Sequence, residues 1–258
     1  MSIDFHASEN RSSYIGRSAD KGWLKAMAEI VNPVGKNVID IGCGGGIYTA
    51  GWAELGAERV MGVDFSQVML ETARENTAYL PQVSFYWGDA CQTGLAAGCA
   101  DIVFARALIH HLDSVDSFVA EVNRILAPGG MCIIQDRTMD DVSVPGSTEH
   151  LRGYFFEAFP RLLQKEEKRR PSLTEVQAAL KNAGFFSVHT SQMWEIRKRY
   201  STWTELESDL RKRTGRSILH ELNDDELEKL ISFVKEKLGG LLPIVEQDRW
   251  TIWRGVKG

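Results

Sequence analysis

Three aspartates and one glycine-rich stretch carry the most chemistry in this sequence. Val38-Ile39-Asp40-Ile41-Gly42-Cys43-Gly44-Gly45-Gly46 joins a short apolar run to a helix-like segment. Such a turn suits a nucleotide-like ligand, because Gly42 permits the tight reversal and Gly44 lets a ligand approach the backbone. The spacing separates two readings. A dinucleotide fingerprint, GxGxxG, would place its third glycine at residue 47. That residue is Ile47, and the loop runs GxGxG instead. An acid, Asp40, also stands two positions ahead of Gly42. A pyrophosphate has no use for that carboxylate, whereas a ligand bearing an amino group does.

Two further acids occupy the same place in the units that follow. Asp64 closes the run Arg59–Val63, within Gly62-Val63-Asp64-Phe65-Ser66. A carboxylate at a strand tip accepts both hydroxyl protons of a ribose, in NAD as in other adenosine ligands. Asp89 follows the third run, in Trp87-Gly88-Asp89-Ala90, where it can accept from an adenine amino group while the Ala90 backbone faces the ring. Each acid alone also fits a solvated loop. Three of them at successive strand ends, behind a GxGxG loop, point to S-adenosylmethionine, whose methionine part carries the amino group.

The elements that must hold these residues alternate along the chain. Trp23, Met27, Ile30 and Val31 form an amphipathic helical stripe, with Asp20 able to cap its start and Pro33 stopping it. Strands are expected at 37–41, 59–63, 83–87, 101–105 and 131–135, with helices between them. Val115, Phe118, Val119, Val122, Ile125 and Leu126 share one helical face, and Pro128-Gly129-Gly130 should end that helix. Non-alternating apolar strands between helices indicate a mostly parallel, doubly wound α/β sheet covered on both faces. After Asp136 the pattern becomes helical and aromatic. Ser172…Glu175, Thr202…Glu205 and Asn223…Glu226 read as capping boxes. Phe185–Thr190 and Trp250–Trp253 look like two more strands. The expectation is one domain of 1–258, with a cofactor-binding core of about 19–136 and helical cap insertions of about 138–170 and 201–240.

Composition narrows the function classes. A net charge of −5 over 258 residues argues against nucleic acid as a partner. The basic clusters at 165–170, 197–199 and 211–213 read as solvated helix faces, since glutamates are interspersed. Cys43, Cys91, Cys99 and Cys132 form no CxxC pair, and no Cys/His cluster has zinc spacing, so no metal is expected. No apolar run reaches membrane-spanning length and no signal peptide is visible, so a cytoplasmic protein is expected.

Over about residues 36–136 the sequence resembles the class I methyltransferases, in the small-molecule branch of the menaquinone/ubiquinone-biosynthesis type. The resemblance rests on Val38–Gly46, Gly62–Ser66, Gly88–Ala90, Asp101–Leu112 and Leu126-Ala127-Pro128-Gly129-Gly130. It implies a Rossmann-like seven-stranded sheet whose final strand is antiparallel, and S-adenosylmethionine as cofactor. Asp40, Gly42, Cys43 and Gly44 would then lie at the methionine end. Asp64 and Phe65 would hold the ribose and flank the adenine, Met69 would pack near that ring, and Asp89-Ala90 would read its edge. Tyr14 and Arg17 would belong to an N-terminal segment that closes over the cofactor.

One departure concerns the fourth strand exit, Ala105-Arg106-Ala107-Leu108-Ile109-His110-His111, where such proteins carry small or polar residues before the histidines. Arg106 can meet the cofactor carboxylate or an anionic acceptor, or form a surface ion pair. Methyl transfer mainly needs donor and acceptor held in line, with a base only when the acceptor must lose a proton. His111 is the candidate base, and local packing is its alternative. Tyr154, Phe155, Phe159, Trp194 and Trp203 are aromatic candidates for an acceptor site, or core. The leading expectation is methylation of a small-molecule acceptor at O, N or C by a monomer or homodimer. Alternatives are a nucleic-acid or protein methyltransferase, a non-catalytic cofactor-binding protein, and a NAD oxidoreductase, the last disfavoured by Ile47 and Asp89. No Pro-Pro-Tyr-type amino-methylating motif is present.

Overall fold

The computed structural model describes residues 18–258. They divide into two compact units, one of residues 18–136, 171–193 and 251–258, the other of residues 137–170 and 194–250. The segments expected as cap insertions lie in the second.

The first unit starts with α1 (Lys21–Ile30), whose first turn is capped by the Asp20 carboxylate accepting from the Gly22 N–H at 2.8 Å. Then come β1 (Asn37–Ile41), α2 (Ile47–Glu54), β2 (Arg59–Asp64), α3 (Gln67–Asn76), β3 (Val83–Trp87) and β4 (Ala100–Arg106). A 3-10 turn (Ile109–His111), α4 (Val115–Ile125) and β5 (Leu126–Asp136) follow. α5 (Met139–Val142), α6 (Leu151–Ala158) and α7 (Arg161–Glu167) belong to the second unit, and α8 (Leu173–Asn182) to the first. β6 (Phe185–Tyr200) leads to α9 (Trp203–Arg211), a second 3-10 turn (Ser217–Glu221), α10 (Asp224–Leu238) and β7 (Ile244–Lys257).

The strands form a seven-stranded sheet in the order β3-β2-β1-β4-β5-β7-β6. β1 to β5 pair in parallel, and β7 runs antiparallel to β5. Alternate residues of one strand serve opposite layers. Ile39 and Ile41 join Phe118, Val122, Val176 and Leu180 from α4 and α8. Val38 joins Trp23, Met27 and Trp52 from α1 and α2. Burial on both faces explains why these strands read as continuous apolar runs. Each fully buried large apolar side chain contributes roughly 1.5–3 kcal/mol. Trp23 is one of them, and its Nε1–H donates to Gln135 Oε1 at 2.8 Å, so its polar atom is not orphaned.

Three expectations shift. α4 stops at Ile125, and Pro128-Gly129-Gly130 lies inside β5 as an irregular stretch where the register with β4 slips. The residue before a proline avoids the helical region, so the helix ends early. β6 and β7 are 16 and 14 residues long, well beyond the two short runs expected.

The second unit has its own core, in which Tyr154 and Phe155 are buried and Phe159 and Trp203 pack partly buried against it. Trp194 is exposed. The basic clusters are not simply solvated. Arg170 is buried and donates to Glu166 at 2.7 Å, and Arg197 joins Arg216, Tyr200, Asp209 and Glu246 in a buried network. Gly153 of α6 marks a close backbone approach: an added Cβ would lie 2.5 Å from Pro145 C and closer still to Gly146 N. Gly153→Ala is therefore expected to destabilise by about 1–3 kcal/mol. Thermal unfolding followed by circular dichroism checks this, and an unchanged Tm would contradict it.

Candidate cofactor site

The strand order reverses between β1 and β4. The chain winds outward from β1 to β2 and β3, then returns to place β4 on the other side of β1. Ligands of open α/β sheets bind beyond the carboxyl ends of the strands at such a switch point. The β1 exit is the glycine loop, and the β4 exit is Arg106.

The loop is held by its neighbour. Gly42 N–H and Cys43 N–H both donate to Val63 O, at 2.7 and 3.1 Å, which pins the turn against the end of β2. Gly42 and Gly44 have φ of +72° and +51°, where a side chain would be strained. Cys43 is buried and points toward Gly62, where an added Cβ would meet its Sγ at 2.8 Å. Burial pushes its thiol pKa well up, so it is a packing residue with no nucleophilic character. Ile47, in place of a third glycine, is buried at the start of α2.

Asp40 and Asp64 are both buried. Asp40 Oδ2 accepts from Thr49 Oγ1 at 2.7 Å. Burial pushes the Asp40 carboxyl up to about 7; nearby Asp64 adds to the rise, while Thr49 and Arg106 oppose it. Asp64 spans two turns, with Oδ2 accepting from Gly44 N–H at 2.9 Å and Oδ1 from Ser66 N–H at 2.9 Å. One carboxylate thus ties the glycine loop to the start of α3, whose Ser66 cap accepts from Met69 N–H. Met69 is buried there and Phe65 is exposed.

At the third strand end, Trp87 Nε1–H donates to Phe65 O at 2.9 Å and links the β3 exit to the β2 exit. Asp89 is exposed, and its Oδ1 accepts from Cys91 N–H at 2.7 Å, closing a turn around Ala90. The Arg106 guanidinium lies 4.3 Å from the Tyr48 ring centroid, in the first turn of α2. Asp40, Gly44, Asp64 and Arg106 are therefore coupled directly by bonds or charge. Phe65, Met69, Asp89 and Ala90 occupy the adjoining exits. Tyr14 and Arg17 lie outside the described residues.

The two histidines after β4 occupy different environments. His111 is exposed. His110 is buried, with Nδ1 2.9 and 2.8 Å from the two carboxylate oxygens of Asp136, the last residue of β5. Sequence reasoning passed over Thr49, Tyr48 and Asp136, and ranked His110 behind His111. The strand-tip rule applied to β1, β2 and β3 would have found Asp136; nothing in the sequence marks Thr49. Among the described residues, no group of three or more His, Cys, Asp or Glu is arranged to hold a metal ion. No helix there is long and apolar enough to cross a membrane.

The family model described as a methyltransferase domain matches residues 39–134. Ubiquinone biosynthesis O-methyltransferase of Mesorhizobium japonicum is 32% identical over 101 residues, covering 39% of this chain and 40% of that protein. The chain spans about a third to a half of the length of the curated relatives it matches. A structure described as a methyltransferase from an antibiotic biosynthesis pathway of Anabaena variabilis superposes with a TM-score of 0.70 at 22% identity, covering 92% of this chain and 98% of that one. Phosphoethanolamine N-methyltransferase 2 of Haemonchus contortus, solved with S-adenosylhomocysteine, gives a TM-score of 0.64 at 21% identity, covering 99% of this chain and 61% of that one. At these identities the structures establish the fold. Over residues 39–134 the chain is similar to methyltransferase domains, and its fold is that of the solved methyltransferases.

Proposed function

We propose that this protein transfers the methyl group of S-adenosylmethionine to a small-molecule acceptor at an O, N or C atom. The observation that carries the reading is the coupling of Asp40, Asp64 and the Gly42–Gly44 turn at the switch point of the sheet. Two buried carboxylates side by side, one with its proton affinity raised, call for a cationic partner. The α-ammonium of the cofactor's methionine part suits Asp40, and Arg106 suits its carboxylate. Asp64 would take the ribose hydroxyls, Phe65 and Met69 would flank the adenine, and Asp89 with the Ala90 backbone would read its edge. Bound S-adenosylmethionine supplies an electrophilic methyl group on a sulfonium. The chain's contribution is to hold that group and the acceptor in line and to exclude competing water. Ligand released from the purified protein and identified by mass spectrometry tests the proposal. S-adenosylmethionine or S-adenosylhomocysteine supports it, and a nicotinamide dinucleotide would overturn it.

The relatives named for ubiquinone and menaquinone synthesis act on small molecules, which favours that class of acceptor here. The basic residues Arg170, Arg197 and Arg216 are engaged in internal ion pairs, which argues against a nucleic-acid partner. The four cysteines are free thiols, in keeping with a reducing, cytoplasmic setting.

Asp40 makes cofactor binding pH-dependent. Its folded pKa, about 7, lies above its ordinary value of 3.8, so the free protein holds a proton there at mildly acidic pH. A cationic ammonium binds the ionised form. Affinity for S-adenosylhomocysteine should therefore fall by up to about tenfold per unit as pH drops below about 7. For stability the sign is opposite. The folded state binds the extra proton between about pH 4 and 7, so Asp40's contribution is present at the acidic end and lost as pH rises through that window. Asp40→Asn should flatten both dependences. Calorimetry at several pH values checks the first, and a pH-independent wild-type affinity would contradict it.

A further inference from the structure

The second unit holds a group of buried charges around Asp248 of β7. Arg137 Nη2 donates to Asp248 Oδ2 at 2.6 Å, which offsets that carboxylate. Arg169 Nη2 and Arg170 Nε donate to the two oxygens of Glu166 at 2.6 and 2.7 Å. Arg152 of α6 comes to both carboxylates after these closer partners. Its Nε donates to Asp248 Oδ1 at 3.3 Å, and its Nη1 stands 3.8 Å from Glu166 Oε1, beyond hydrogen-bond reach. Among the described residues, neither Nη of Arg152 has a hydrogen-bond acceptor. The 6% of its side chain that stays exposed includes both Nη atoms.

His150, the residue before α6, approaches the same oxygen, with Nδ1 3.8 Å from Asp248 Oδ1. Nδ1 also lies 3.0 Å from Gln247 O, and a carbonyl only accepts, so Nδ1 carries the hydrogen. Burial pushes the pKa of the ring down; Arg152 and Arg137 add to the fall, while Asp248 and the Gln247 carbonyl oppose it. The neutral ring keeps its lone pair on Nε2, which is buried and has no hydrogen-bond partner. Trp194 packs edge-on against the ring, with centroids 5.4 Å apart, and is itself exposed. The ring thus lies one side chain below the surface. Arg216 makes the contrast, since both of its Nη atoms are spent on Asp209, Glu246 and Tyr200. Buried polar atoms in native proteins are nearly always bonded, so two open groups on one oxygen call for a ligand that completes them.

We propose that Arg152 and His150 form a binding site for a small acid. The two Nη atoms of Arg152 present their N–H groups as a fork, which fits a carboxylate or a phosphate in a bidentate pair. Asp248 does not turn the anion away, because Arg137 already holds its other oxygen. His150 Nε2 accepts from a hydroxyl beside the anionic group, so a hydroxy acid or a hydrogen phosphate engages both residues. Every residue of the site belongs to the second unit, so the site stands whether or not the methyl-donor reading does.

Titration of the full-length protein, 15N-labelled at arginine, with acetate, glycolate and inorganic phosphate in separate arms tests this. The Arg152 side-chain signals, assigned with Arg152→Lys, should shift saturably with a Kd of about 0.1–10 mM for at least one probe. A response to the carboxylates or to phosphate identifies the acid group. Glycolate should bind about threefold or more tightly than acetate, through the hydrogen bond of its hydroxyl, and His150→Phe should erase that difference. The bound probe should raise the Tm of the wild type and not that of Arg152→Gln, with circular dichroism as the folding control. Arg152→Lys, which keeps the charge without the fork, takes its place if the glutamine variant does not fold, and should weaken binding about tenfold. Arg152 signals unmoved at about 50 mM of every probe would overturn the proposal. So would an equal rise in Tm for the wild type and Arg152→Gln. Equal affinities for acetate and glycolate would remove His150 from the site.

Discussion

Arg216→Met is expected to destabilise the protein by about 3–5 kcal/mol, the cost of removing one partner from a buried ionic group. The Arg216 side chain is 1% exposed. Its Nη1 donates to Asp209 Oδ2 and its Nη2 to Glu246 Oε2, both at 2.6 Å, and Nη2 lies 3.1 Å from the Tyr200 hydroxyl. Burial alone would raise the carboxyls of Asp209 and Glu246. The Arg216 and Arg197 guanidiniums outweigh it and hold both below the usual carboxylate range. Burial also pushes the Tyr200 phenol well up, so it stays a neutral hydroxyl in the network. Methionine would fill much of the volume but leave Arg197 as the main cation against two carboxylates. Chemical denaturation checks the magnitude, and a loss below about 1 kcal/mol would show that the network tolerates the vacancy. The sign of the pH dependence follows from the lowered carboxyls. Their stabilisation is present above the ordinary carboxylate pKa near 4 and is lost as pH falls below it.

Asp64→Ala is expected to weaken S-adenosylhomocysteine binding by about 100-fold or more. Two effects combine. The ribose hydroxyls lose a charged acceptor, and hydrogen bonds to charged groups contribute about 1.5–3 kcal/mol each. The Gly44 and Ser66 N–H groups also lose the oxygens they donate to, which frees the glycine loop from the start of α3. Asp64→Asn separates these contributions, since its single carbonyl oxygen can serve only one of the two turns. It should bind more tightly than the alanine variant and less tightly than wild type. Titration calorimetry with circular dichroism as a folding control measures this. Wild-type affinity in a folded Asp64→Ala protein would show that the carboxylate is scaffold alone.

The contrast between Asp64 and Glu246 shows which parts of this molecule were legible from sequence. β1, β2, β4 and β5 announce themselves because both of their faces are apolar, and the acids that matter stand at their tips after the pattern breaks. The first half of β7 hides because its inward positions read Ile244, Glu246 and Asp248, all buried, before the legible run from Trp250. Charges occupy a face where the period-2 rule looks for hydrophobes, and their partners, Arg137, Arg152, Arg197 and Arg216, are remote in sequence. Arg197 looked like part of a solvated basic cluster for the same reason. A single sequence does not reveal which opposite charges will meet inside a fold. The site divides along similar lines. The glycine loop and its acids follow from local spacing. Thr49 meets Asp40 from the first turn of the helix that follows β1, a contact no spacing rule marks, whereas Asp136 meets His110 only because the strand order sets β5 beside β4.

The central claim is that the β1–β4 switch point is a methyl-donor site and not a dinucleotide site. Calorimetric titration of the purified full-length protein with S-adenosylhomocysteine, and separately with NAD, tests it most directly. The predicted result is saturable one-site binding of S-adenosylhomocysteine with a Kd in the range of about 1–100 μM, roughly 5.5–8 kcal/mol, and no heat of binding with NAD. Saturable NAD binding, with none for S-adenosylhomocysteine, would contradict it.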